Sequence, residues 1–284
     1  MKLAIVTDST CDWTLEACRE ADVRCVPLKI SIGERTLVDQ IELDAEGFYD
    51  LMQESEAMPQ SSQPSPHDFS ETFKQLAEEG YDEVVSLHIA SVLSGTLQSA
   101  QIAAETSPIP VHVVDTKNVT SGMGLMLSRA CEMRDGGANA EEVVAEIDRM
   151  IPRTRLFLAP DTMDNLLKGG RATEEQAAGA ALLNIKLVFT LDERGALVNY
   201  DKVKGSKGVV RRLTDALAEM AEKEGPLKVR FLASRNDKLV AKIVESLEEA
   251  GVPFENEGFD ACGATIATHL GLGAVGLGVV PARL

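Results

Sequence analysis

The 284 residues are enough for two modest domains or for one large α/β unit, and two domains are the expectation. Hydrophobic residues make up 44% and charged residues 26%, with 4% aromatic, which excludes a chain too polar to build a core. Against 28 Lys and Arg stand 45 Asp and Glu, and the net charge of −17 repels phosphate backbones and anionic headgroups, so neither nucleic-acid nor peripheral membrane binding is expected, and with no segment that reads as a bilayer span no stable membrane insertion is expected either.

The opening MKLAIVTDST carries one lysine and a short apolar run, so it reads as a strand and a turn rather than a leader or a membrane span. Five cysteines, at 11, 18, 25, 131 and 262, include no Cys-x-x-Cys pair, and an odd, scattered set points to reduced thiols and a cytoplasmic location. Short β-branched runs at 3–6, 84–89 and 111–114 alternate with segments at 44–56, 68–79, 96–106 and 140–150, whose apolar residues recur every three or four positions. That rhythm predicts βαβ units and a parallel sheet. The pattern changes at 151–155, around Pro152, giving an N-terminal α/β domain over 1–152 and a C-terminal α+β domain over 153–284. The second half opens with an extended run at 156–159 and a helical stretch to Leu167. Extended runs at 184–191 and 196–203 follow, joined by the hairpin turn Asp192-Glu193-Arg194-Gly195. A helix over 207–223, a strand at 229–233, a helix to Glu249 and a Gly-rich run complete the chain.

Hydroxyl-rich turns follow three of the N-terminal runs: Thr7-Asp8-Ser9-Thr10, Ser91-Val92-Leu93-Ser94-Gly95-Thr96 and Asp115-Thr116-Lys117-Asn118. If those runs are parallel strands, the turns gather at their carboxyl ends, where open α/β sheets bind ligands. A fourth polar segment, Gln60-Ser61-Ser62-Gln63-Pro64-Ser65-Pro66, caps a helix starting near His67 or Asp68 and can fold over the same edge. Each turn also has a plainer reading, as helix caps after strands. Ser94-Gly95-Thr96 opens the helix through Gln98 and Ile102, and a helix N-terminus holds an anion, such as a carboxylate, without a formal cation.

Other motifs carry less. Gly271-Leu272-Gly273-Ala274-Val275-Gly276 fits G-x-G-x-x-G, but the eight residues after it leave no room for a dinucleotide fold. Gly169-Gly170-Arg171 lacks the Lys-Ser/Thr of a P-loop, and His67, His88, His112 and His269 show no metal-ligand spacing, so no cofactor and no metal are expected. No G-x-S-x-G elbow occurs either. Lys168-Gly169-Gly170-Arg171 reads locally as a helix C-terminus, with an arginine available to an acidic partner or ligand.

Asp8-Ser9-Thr10-x-Asp12, Pro59-x-Ser61-Ser62-Gln63-Pro64-Ser65, Leu93-Ser94-Gly95-Thr96-x-Gln98-Ser99-Ala100, Leu167-Lys168-Gly169-Gly170-Arg171, Leu183-Asn184-Ile185-Lys186 and Thr268-His269-x-Gly271-x-Gly273 form an ordered set across nearly the whole chain. In that set the chain resembles the DegV family. The resemblance implies a bacterial carrier, not an enzyme, that buries a long-chain fatty acid in a tunnel at the junction of two domains and presents its carboxylate to a partner fatty-acid kinase. It implies carboxylate binding by Ser61, Ser62, Ser94, Gly95, Thr96 and His269, with Arg171 and Lys204 at the mouth or on the partner's side. Ser61 stands for the family's usual threonine, Lys204 for an arginine, and Leu187 and Leu272 for prolines, so partner contact and tunnel wall are expected to differ there. Two rival readings share the pocket: a phosphotransferase or hydrolase with His269 as general base, and a lipid sensor.

Overall fold

In the computed structural model, residues 2–177 and 184–283 are described; Leu183, quoted in the motif above, lies outside them. The first half runs β1 (Leu3–Asp8), a single 3-10 turn, α1 (Leu15–Glu20), β2 (Val23–Val26), β3 (Lys29–Ile32), β4 (Arg35–Val38), α2 (Ala45–Glu54), β5 (Gln60–Ser62), α3 (Pro66–Glu78), β6 (Glu83–His88), α4 (Thr96–Ala104), β7 (Val111–Asp115), α5 (Thr120–Asp135) and α6 (Ala140–Met150). The second half runs β8 (Arg155–Ala159), α7 (Asp164–Lys168), α8 (Glu174–Ala177), β9 (Ile185–Leu191), β10 (Leu197–Lys204), α9 (Gly205–Glu224), β11 (Leu227–Ala233), α10 (Asp237–Glu249), β12 (Phe254–Ala261), α11 (Ala264–Leu270) and β13 (Val275–Pro281).

Three sheets result. The first, in the order β2-β1-β6-β7, is wholly parallel, as the βαβ rhythm predicts. The second, β10-β9-β8-β13-β11-β12, is antiparallel except for β11 with β12. A small antiparallel sheet, β4-β3-β5, turns the predicted polar cap at residues 60–62 into a strand. The cap itself falls later: Ser65 accepts from the Asp68 amide, Asp68 returns a bond to the Ser65 amide, and Pro66 sits in the first turn of α3.

Strand alternation decides what each face meets. Ala4, Val6 and Val84 pack under Phe69, Phe73 and Leu76 of α3 and Ala100 and Ala103 of α4. The residues between them, Leu3, Ile5, Val85 and Leu87, join a core shared with Leu156, Leu158, Leu232 and Val280 of the mixed sheet. On the far side of that sheet Phe157, Val229, Phe231, Leu277 and Val279 lie under α9 and α10. Between the two sheets runs α5, with ten of its sixteen residues buried and its first eight, 120–127, buried all round, so that half shows no polar face for a sequence pattern to reveal. Its close approach to β13 depends on Gly278, where a Cβ would lie 2.5 Å from the Gly122 nitrogen. All five cysteines are free.

Candidate functional site

At the carboxyl ends of β1 and β6 the first two hydroxyl-rich turns reach one wall of a cavity; the third bonds Ser91 of the second through the Asp115 carboxylate but places none of its residues 115–118 on the lining. Thr10 follows β1, Ile89, Leu93 and Ser94 follow β6, and Val119 and Thr120 lead from β7 into α5. The opposite wall comes from Leu158 on β8, Leu166 on α7, Leu197 on β10, and Thr265, Ile266, His269 and Leu270 on α11; Leu28 and Ser61 close one side. The cavity encloses about 580 Å³ of atom-free space, including the part open to solvent. Among the described residues sixteen line it, nine of them apolar, and Arg171 alone carries a formal charge. On a chain of −17, a cavity with one cation and no carboxylate is where an anion meets least repulsion.

One group of polar side chains gathers on this lining. Ser61 Oγ lies 2.7 Å from His269 Nε2. β5 pairs with β3 so that Ser61 stands opposite Ile30, and pleating then turns Gln60 and Ser62 the other way, into solvent. Ser62 therefore does not line the cavity. Arg171 donates from Nη1 to the Gly169 carbonyl at 2.7 Å and from Nη2 to the Leu93 carbonyl at 3.3 Å, beside Ser94. These bonds use two of its five N–H donors. Burial, then the Arg171 charge, pushes the His269 imidazole down to about 4, and its Nδ1 has no partner among the described residues. Gly169 permits that packing, since a Cβ there would lie 2.5 Å from Nδ1.

Ser94 Oγ accepts from the Thr96 amide at 3.3 Å and contacts the Thr96 hydroxyl at 2.9 Å. Gly95 is the N-cap of α4, as the turn predicts, and Gln63 donates to its carbonyl at 3.2 Å. Gly95 and the buried Thr96 stand behind Ser94 rather than on the lining. Lys204 is exposed at the end of β10, opposite Ile185, and is not on the lining. Leu187, buried within β9, and Leu272, after α11, are also off it. The basic C-terminus predicted at Lys168 is that of α7, with Gly170 at φ +69° just after it.

Buried acids hold the walls. Asp8 accepts from the Thr10 amide and hydroxyl on one oxygen, and on the other from the Ile89 amide, with His88 Nδ1 at 2.9 Å. Asp39 Oδ2 accepts from Ser9 Oγ at 2.9 Å and Thr265 Oγ1 at 2.5 Å, tying α11 to the first turn; burial raises its carboxyl above the usual range. Asn165 donates to the Thr268 carbonyl at 2.9 Å, joining α7 to α11. A Ser–His–Asp string does form, since Ser86 Oγ lies 2.7 Å from His88 Nε2, but all three side chains have no exposure and none lines the cavity. A sealed hydroxyl cannot reach a substrate. Thr120 and Thr265, on the lining, went unmarked by the sequence reading. Thr120 follows the third turn by two residues, while nothing local distinguishes Thr265.

Comparison with known proteins gives one answer over the full length. The family model described as "Uncharacterised protein, DegV family COG1307" matches residues 2–282. A DegV domain-containing protein of Deinococcus radiodurans is 34% identical over 282 residues, 99% of each chain. A solved Thermus thermophilus structure, described as fatty acid binding of a DegV family protein, is 34% identical with a TM-score of 0.91, covering 99% of this chain and 100% of that one. The Streptococcus pneumoniae Fatty Acid Kinase (Fak) B3 protein, solved loaded with linoleic acid, is 25% identical with a TM-score of 0.87 over 99% and 100%.

Proposed function

The chain belongs to the DegV family, and from that premise we propose that it binds one long-chain fatty acid in the cavity between its sheets and presents the carboxylate to a partner fatty-acid kinase. The observation that carries this reading is the lining itself: nine of its sixteen residues are apolar, none of the described ones is acidic, and Ser61, Ser94, His269 and Arg171 stand on it beside three threonines. With its proton on Nε2, His269 donates to Ser61 Oγ and turns the Ser61 proton toward the ligand. Ser61 and Ser94 then hold the carboxylate, and Arg171 supplies the compensating charge. At about 0.8 kcal/mol per buried methylene, roughly a dozen methylenes give on the order of 10 kcal/mol before ordering and desolvation are subtracted. Such a ligand survives purification. The kinase partner is supported by the likeness to the Streptococcus pneumoniae protein.

The 2.7 Å Ser61–His269 contact also favours a hydrolase reading, with Ser61 as nucleophile. Two features weigh against it. Among the described residues His269 Nδ1 lacks the carboxylate that orients a catalytic histidine, and an imidazole pushed down to about 4 is a weak base at neutral pH.

Native mass spectrometry of the purified protein, followed by solvent extraction, tests the proposal. About one fatty acid per chain is expected in the wild type, and loss of most of it in a folded Ser61→Ala, Ser94→Ala double variant. An empty wild type that refuses added fatty acids sinks the binding reading; full occupancy of the double variant sinks the carboxylate assignment.

A further inference from the structure

Thr120 lines the cavity but has no part in holding a carboxylate at Ser61 and Ser94. Its side chain is fully buried, and its Oγ1 has no hydrogen-bond partner among the described residues. The other two threonines on the lining are engaged: Thr10 Oγ1 donates to Asp8 Oδ1 and Thr265 Oγ1 to Asp39 Oδ2, each at 2.5 Å. Thr120 also sits at φ +52°, in the left-handed region that β-branched residues rarely enter. Strain of that kind gathers at ligand sites, and an orphaned buried hydroxyl calls for a missing partner. As the first residue of α5, Thr120 stands at a helix N-terminus whose N-cap, Val119, provides no side-chain acceptor. That end has surplus N–H donors and a partial positive charge. An O–H without an acceptor beside such a terminus suits an oxygen lone pair. A saturated chain offers none.

Resting on the fatty-acid reading above, we infer that Thr120 forms a second polar subsite, which recognises an oxygen carried on the acyl chain. The ligand class it selects is the monohydroxy fatty acid whose hydroxyl reaches the start of α5. A hydroxyl there accepts from Thr120, whereas methylenes leave Thr120 unpaired and desolvated.

The test is competition, read by native mass spectrometry, between stearic acid and a ladder of monohydroxystearic acids differing in hydroxyl position. It uses the wild type, Thr120→Val, which keeps the branched shape, and Thr120→Ser, which keeps the hydroxyl. The wild type is expected to prefer one position over stearic acid by roughly three- to tenfold. Thr120→Val erases that preference and Thr120→Ser retains it. The inference is overturned by a wild type with no positional preference, by a preference that survives in Thr120→Val, or by an equal change for every ligand. The last result would put the carboxylate itself at α5. Failure of the underlying reading looks different, because then neither stearic acid nor any hydroxy acid binds. Should Thr120→Val not fold, the wild-type ladder alone decides.

Discussion

Burial and the Arg171 guanidinium depress the His269 pKa from 6.5 to about 4, so the folded protein holds this imidazole neutral. Between those values the unfolded chain takes up a proton that the folded chain refuses. The resulting stabilisation is complete above pH 6.5 and is lost as the pH falls through 4. The shift corresponds to a few kcal/mol at most. Urea midpoints of the ligand-free protein should therefore fall on acidification across this window, more steeply than those of His269→Gln. Parallel curves would mean that His269 is more solvated than its place on the cavity implies. At this scale the sequence marked His269, Ser61, Ser94 and Arg171, all now on one lining. It marked Ser62 equally, because a Ser-Ser pair does not reveal which hydroxyl a strand turns inward.

Helices with one wet face were legible from their periodicity, and α3 and α6 fall close to the predicted 68–79 and 140–150. By contrast, α5 was not read as a helix at all. It carries Gly122 and Gly124, and the burial of residues 120–127 between two sheets removes there the polar stripe that a pattern needs. Its contact with β13 is specified instead by the glycines of the final run. In Gly278→Ala the added methyl meets backbone of Gly122 and Ser121, at 2.5 and 2.6 Å, which cannot rotate away. We expect a loss of about 1–3 kcal/mol, seen as a lower denaturant midpoint at unchanged slope. Neutrality would mean that α5 slides freely on the sheet. The three-residue β5 escaped notice too, being too short and polar to show alternation, although it is the element that brings Ser61 to His269.

Across the molecule, the strands sort by position in the chain. Those of the parallel sheet end by Asp115, and those of the mixed sheet begin at Arg155. The core does not sort that way, because side chains of both sheets and of α5 form one cluster. A fragment of residues 1–152 would expose the α5 face that β13 and β11 cover. We expect it to bind a hydrophobic dye and to lack a cooperative melt, while the whole chain unfolds in one transition. A fragment with a sharp melt would establish a first half that folds alone, as the sequence boundary near Pro152 proposes.

The sequence by itself determined many local features: three of the four strands of the parallel sheet, the hairpin at 192–195, the start of α3 to within two residues, the start of α4 at Gly95, and the hydroxyl turns after strands. These depend on neighbours a few residues apart, so they can be read without the fold. The ordered motifs likewise pointed to the DegV family. Only the tertiary structure decided which hydroxyls share a cavity, which of two adjacent serines faces it, and that Thr120 lines it without a partner among the described residues. Those outcomes rest on strand register and on contacts such as Ser61 with His269, 208 positions apart. Such contacts are set when the two sheets close on α5, and no short window of sequence contains both ends.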